Sequence, residues 1–242
     1  MTTLPPMDVA GRIPRLRERL AAADCDALVV TNLVNVRYLT GFTGSAGLLL
    51  VGAEKLVLVT DGRYRFQSED QLRASGVDAT IEIGGLAEQQ AVLGRAAKGV
   101  GRLGLEAGDV SWARQRAMAK DWFPGEDLAA TEGVVEGLRR VKDPGELARM
   151  AAAADAADAA LAEVRHLLVT GITELEFALA LDFEMRRQGA AGNSFESIVA
   201  SGPNGAKPHA RPSDRVVAPG ELVVLDFGAV VDGYCSDMTR TV

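Results

Sequence analysis

The chain has 242 residues, 48% of them hydrophobic and 24% charged, a composition typical of a folded protein and too apolar for a disordered one. Its 26 Lys and Arg against 33 Asp and Glu leave a net charge of −7, which provides no general attraction to nucleic acid or to an anionic membrane. The longest apolar run, Ala46–Val51, is far shorter than the roughly 20 residues that cross a bilayer.

The first eight residues have neither a basic patch nor an apolar core, so they do not read as a signal peptide. Cys25 and Cys235 lie far apart, which is neither a disulfide framework nor a CxxC pattern. The expected compartment is the reducing cytosol.

In chain order, Leu16 and Leu20 share one face of a helix expected over Pro14–Ala23. Ala27–Val30 reads as a buried strand. Gly47–Val51 and Leu56–Val59 read as a hairpin turning at Gly52–Lys55. A helix over Arg63–Ala74, a strand over Ala79–Ile83, a helix over Leu86–Lys98, a strand over Arg102–Glu106 and a helix over Trp112–Trp122 complete an alternation that indicates an α/β domain. The pattern fades over Leu128–Arg140. Gly41-Phe42-Thr43-Gly44-Ser45 is not a phosphate loop: no GK[ST] follows it, and a strand, not a helix, comes next.

Asp143-Pro144-Gly145-Glu146 has the pattern of a helix start, with a cap, a proline at the first helical position and a glutamate three residues after the cap. The expected domains are residues 1–139 and 140–242. An Ala-rich helix runs to about Leu168, and Thr173-Glu174-Leu175-Glu176 opens a second helix ending near Gln188. A short strand is expected at Phe195–Ala200, then a Gly- and Pro-rich loop over Ser201–Pro212. Leu222–Val231 and Tyr234–Val242 read as strands joined at Asp232-Gly233, a strong two-residue hairpin signal. Helices followed by a hairpin suggest an α+β second domain.

A two-residue loop at Asp232-Gly233 sets Asp226 opposite Thr239 and puts Asp237 on the same face, with the two carboxylates diagonal neighbours about 7–8 Å apart or less at their β-carbons. Two such side chains can converge on one or two divalent ions. The competing reading pairs Asp226 with a basic residue such as Arg240, and a three-residue loop would put the carboxylates on opposite faces. His209 sits between Pro208 and Pro212 on a stiffened loop, where an imidazole can donate to a substrate carbonyl; a plain surface histidine is the alternative. His166 reads as a helix-end residue. Cys235 shares the parity of Asp237 and reads as a small packing residue at the border of the site.

These motifs, in order, resemble the Xaa-Pro peptidases, aminopeptidase P and prolidase, of the pita-bread metallopeptidase family. The matching segments are Ser201-Gly202-Pro203-Asn204, Pro208-His209, Leu225-Asp226-Phe227-Gly228 and Gly233 to Thr241. Asn35 to Ser45, Thr60-Asp61-Gly62-Arg63-Tyr64 and Val141 to Glu146 resemble the creatinase/prolidase N-terminal domain and its junction. The resemblance implies an α/β N-terminal domain followed by an incomplete pita-bread domain. It also implies hydrolysis of bonds preceding proline in a proline-containing peptide substrate. The site it implies is dinuclear, with manganese the usual metal and cobalt or zinc as competitors. Asp226 would bind one ion, Asp237 would bridge both, and His209 would contact the substrate as the catalytic histidine.

The family site further requires a later histidine and two later glutamates, which this chain lacks. The expectation is therefore a C-terminally truncated chain, inactive and weakly metal-binding as given, that leaves the apolar face of the Leu222–Val231 strand partly uncovered. No nucleic-acid or membrane partner is expected, and the longer protein is expected to be a homodimer or higher homo-oligomer. The alternative is a non-catalytic pita-bread-like binding module.

Overall fold

The computed structural model describes residues 4–242 and divides into two compact units, Asp8–Val141 and Lys142–Val242, the latter joined by the described residues before Asp8. Pro5 belongs to this second unit through its carbonyl, which accepts from Arg149 Nη1 at 2.8 Å.

The first unit begins with α1 (Arg12–Leu20), β1 (Ala27–Val30), α2 (Leu33–Thr40), β2 (Leu48–Val51), β3 (Leu56–Thr60) and α3 (Arg65–Ala74). It continues with β4 (Thr80–Ile83), α4 (Leu86–Ala97), β5 (Arg102–Glu106), α5 (Trp112–Ala117), β6 (Asp127–Thr131) and α6 (Val134–Arg139). The six strands form one sheet in the order β4-β3-β2-β1-β5-β6. The β2–β3 hairpin is antiparallel with Leu48 opposite Val59, while β1–β5, β5–β6 and β3–β4 are parallel. All four residues of β1 are buried, as expected of a strand covered on both faces. One face of the sheet packs Val29, Leu50, Val59 and Leu105 against Leu93 of α4 and the aromatic Phe123.

Three elements of this unit go beyond the sequence reading. Leu33–Thr40 is a helix, started by Asn32, whose side chain accepts from Val34 N, and stopped by Gly41 at φ 77°. The faded stretch resolves into β6 and α6. The helix expected to reach Trp122 is α-helical only to Ala117 and then widens into a π turn over Met118–Trp122.

The second unit holds α7 (Pro144–Val164), α8 (Glu174–Arg187), β7 (Gly192–Asn193), β8 (Ile198–Ser201), β9 (Val223–Phe227), β10 (Ala229–Val231), β11 (Tyr234–Cys235) and β12 (Met238–Thr241). Both helices open with full capping boxes, Asp143 with Glu146 and Thr173 with Glu176. Each box satisfies two backbone N–H groups that a helix start leaves without partners.

The expected hairpin is present, with Asp232 at φ 46° and Gly233 at φ 80°, the left-handed pair that a type I′ turn requires. Its strands do not run as one ladder: β10 and β11 lie with β7 in one small sheet, and β9 and β12 lie with β8 in another. The break falls at Gly228, where any Cβ would strike the Ser236 carbonyl and the Ser194 hydroxyl. Ser236 bridges the break, accepting from Ala229 N at 3.0 Å and donating to the Ala153 carbonyl of α7 at 3.0 Å.

The expectation of an uncovered apolar face on this strand is corrected by the structure. Val223, Leu225 and Phe227 are at most 2% exposed, packed in a cluster with Ala157, Phe177, Leu181 and Met185 from α7 and α8. Alternation on β9 sends these three inward and Val224 and Asp226 outward. Burial of a side chain such as Leu225 or Phe227 contributes roughly 1.5–3 kcal/mol, so the helix pair fixes which face Asp226 occupies.

Candidate metal and substrate site

Asp226 sits on the central strand of the β12-β9-β8 sheet, half-buried, with Thr239 opposite on β12 and Ile198 opposite on β8. Thr239 Oγ1 donates to Asp226 Oδ1 at 3.1 Å. The pairing is that of a two-residue loop. Asp237 stands two residues before Thr239, exposed, at the sheet break opposite Gly228.

The turn that sets this register is tied down from α7. Arg149, whose side chain is 11% exposed, donates Nε to Asp232 Oδ2 at 2.6 Å. Tyr234 donates its hydroxyl to Glu146 at 3.0 Å.

A cavity of about 430 Å³ brings the three expected site residues together: Asp226, Asp237 and His209 all line it. Phe195 and Ile198 form apolar wall, and Glu196 and Arg211 face each other at 3.7 Å on its rim. His209 is exposed on the turn Lys207–Ala210, closed by an Ala210 N–H to Lys207 carbonyl bond of 3.3 Å. One further expectation resolves differently. Cys235 is exposed, so it is not a packed residue, and it is not among the residues lining this cavity. His166 sits at the helix end as expected, in the tighter turn Arg165–Val169 that follows α7, with Nδ1 2.8 Å from the Glu163 carbonyl.

The competing reading of Asp226 as an ion-pair partner of Arg240 does not hold. Arg240 reaches Asp158 at 3.1 Å instead. Among the described residues, neither Asp226 nor Asp237 has a basic side chain within ion-pair distance. Both carboxylates line one cavity with no basic partner, so a cation bound there would supply their counter-charge. No group of three or more His, Cys, Asp or Glu among the described residues could hold an ion by itself. The pair therefore fits a divalent metal as part of a larger donor set, with hard oxygen donors.

The glutamate that organises the His209 loop had no signal in the sequence reading. Glu174 is the first residue of α8 and is fully buried. The capping pattern marks Glu176, whereas the partners of Glu174 lie far along the chain.

Comparison with known proteins matches residues 12–141 to the creatinase/prolidase N-terminal domain and residues 148–242 to metallopeptidase family M24. The chain belongs to this family: a creatinase/prolidase N-terminal domain followed by part of a pita-bread M24 metallopeptidase domain. An uncharacterised peptidase of Bacillus subtilis is 37% identical over 231 residues, covering 96% of this chain and 64% of the relative. The solved structure of an Xaa-Pro dipeptidase from Bacillus anthracis superposes with TM-score 0.89 at 35% identity, covering 97% of this chain and 64% of that one. An X-Pro aminopeptidase from Thermotoga maritima gives TM-score 0.79 at 31% identity, covering 95% and 64%. The chain thus spans just under two thirds of the length of these relatives.

Proposed function

We propose that this chain carries part of the active site of a cytosolic metal-dependent peptidase that hydrolyses the bond preceding proline. The observation that carries this reading is that Asp226, Asp237 and His209 line one cavity, with no basic side chain among the described residues paired to either carboxylate. The names of the two similar solved structures, an Xaa-Pro dipeptidase and an X-Pro aminopeptidase, support the choice of substrate.

Asp226 and Asp237 would hold the divalent ions, manganese first, with cobalt or zinc as competitors. Bound there, such ions supply Lewis acidity and activate water for attack. Thr239 holds the Asp226 carboxylate in one orientation. His209 presents an imidazole N–H that can donate to the carbonyl oxygen as it gains negative charge. Phe195 and Ile198 offer the substrate an apolar wall that excludes water.

The family resemblance implies three further donors, a histidine and two glutamates, that are not among the residues of this chain. Alone it should bind manganese more weakly than micromolar, because a hard ion left mostly to water gains little over bulk hydration. Turnover should be absent, since a missing general base alone costs about 10²–10⁴-fold.

The test has two arms. Calorimetric titration of manganese into the chain should show weak binding that Asp237→Asn abolishes. The chain complemented with the remaining C-terminal part of the Bacillus subtilis relative should cleave an Xaa-Pro peptide and spare its Xaa-Ala counterpart. Equal cleavage of both peptides, or manganese binding untouched by Asp237→Asn, would contradict the reading.

A further inference from the structure

The loop that carries His209 leaves β8 at Ser201 and returns past Ser213, and one buried carboxylate bonds to both of its ends. Glu174 Oε1 accepts the Ser201 N–H at 2.7 Å, the Ser201 hydroxyl at 2.9 Å and Asn204 Nδ2 at 3.1 Å. Glu174 Oε2 accepts Asn204 Nδ2 at 3.0 Å, the Ser213 N–H at 3.2 Å and the Ser213 hydroxyl at 2.6 Å.

The backbone of the same helix start holds the returning strand. Glu174 N donates to the Arg215 carbonyl at 2.9 Å, Leu175 N to the Ser213 carbonyl at 3.0 Å, and Val217 N to the Ile172 carbonyl at 3.0 Å. From the anchor the contacts lead towards His209. Asn204 gives its amide hydrogens to Glu174 and turns Oδ1 to Lys207 Nζ at 2.7 Å, two residues before the histidine. Lys207 N also donates to the Asn204 carbonyl at 2.9 Å.

We infer that Glu174 is a positioning residue for the peptidase reaction: its carboxylate fixes both ends of the Ser201–Ser213 loop and so holds His209 at the wall shared with Asp226 and Asp237. This rests on the function proposed above. It adds a residue that touches neither metal nor substrate and acts through a chain of hydrogen bonds. An ionised carboxylate suits the position, because it only accepts, and all its partners here are donors. A glutamine of the same shape has one accepting oxygen and brings two N–H donors into a site already filled with donors. That leaves buried groups unsatisfied.

The test uses the 242-residue chain and Glu174→Gln. His166 and His209 are its only histidines, so two imidazole signals report separately on the helix end and on the loop. In the variant the His209 signal should move towards that of a free histidine while the His166 signal stays. Amide exchange at Ser201 and Ser213 should rise tenfold or more, the equivalent of about 1.4 kcal/mol, with the interior of α8 unchanged. Ser213→Ala removes a single donor at one end of the loop and should give a smaller rise in the same place, which keeps the test available if Glu174→Gln does not fold. A His209 signal unchanged in Glu174→Gln, or exchange that rises uniformly through α8, would overturn the proposal. Manganese added to the unmutated chain tests the metal site separately: failure to bind near Asp226 would remove the peptidase reading but leave the loop measurement valid.

Discussion

Thr239 faces Asp226 across the β9–β12 pair and donates a 3.1 Å hydrogen bond to its carboxylate. This one pairing anchors the site: with Thr239 opposite Asp226, Asp237 two residues earlier comes to line the same cavity. A slip of one residue would send Asp237 to the other side.

The register depends on the sheet break at Gly228. Gly228→Ala should destabilise the second unit by about 1–3 kcal/mol, since the added methyl group meets the Ser236 carbonyl and the Ser194 hydroxyl, not open space. Urea unfolding measures the loss. A variant as stable as the parent would mean that the break is not held by close packing.

The capping box at Thr173 is both a helix start and the platform for Glu174. Thr173→Ala removes the acceptor for Glu176 N and one donor to the Glu176 carboxylate, and should cost about 0.5–2 kcal/mol. Chemical denaturation read by circular dichroism checks it. The loss should be absent when the same substitution is made at Thr170, which only donates back to the Leu167 carbonyl.

Glu174 should make stability depend on pH. Burial pushes its carboxyl up, but the Ser201 N–H and the Ser213, Asn204 and Ser201 side chains outweigh burial and hold it below its ordinary value of 4.5. Lowered in the folded state, it contributes stability that is complete above about pH 4.5 and is lost as pH falls through the lower folded value. Urea unfolding at descending pH should show less acid destabilisation in Glu174→Gln than in the parent chain. Parallel pH profiles would show that the carboxylate is not the group responsible.

The sheet of the first unit takes all six strands from Ala27–Thr131. The fragment 8–141 should therefore fold alone and melt cooperatively. A fragment without a cooperative transition would place the folding boundary elsewhere.

Much of this architecture is legible in the sequence because local chemistry and long-range packing agree. Both capping boxes, the β2–β3 hairpin and the Asp232-Gly233 turn carry their own signals, and the turn is enough to align Asp226 with Thr239. Leu33–Thr40 escaped because its dense apolar and β-branched residues hide the helical period, leaving the Asn32 cap as its main mark. β6 escaped because Asp127-Leu128-Ala129-Ala130-Thr131 has little strand propensity and depends on its parallel pairing with β5. Glu174 could not be found locally at all: its role is set by Ser201, Asn204 and Ser213, which only the fold brings to it.

The most direct test of the account is the effect of manganese on the nuclear magnetic resonance spectrum of the chain. Paramagnetic broadening should centre on the amides of Asp226 and Asp237 and on the His209 imidazole, leave His166 sharp, and disappear in both Asp226→Asn and Asp237→Asn. Broadening spread over other acidic surface, or persisting at His209 when both aspartates are replaced, would contradict the claim that Asp226 and Asp237 hold the metal beside His209.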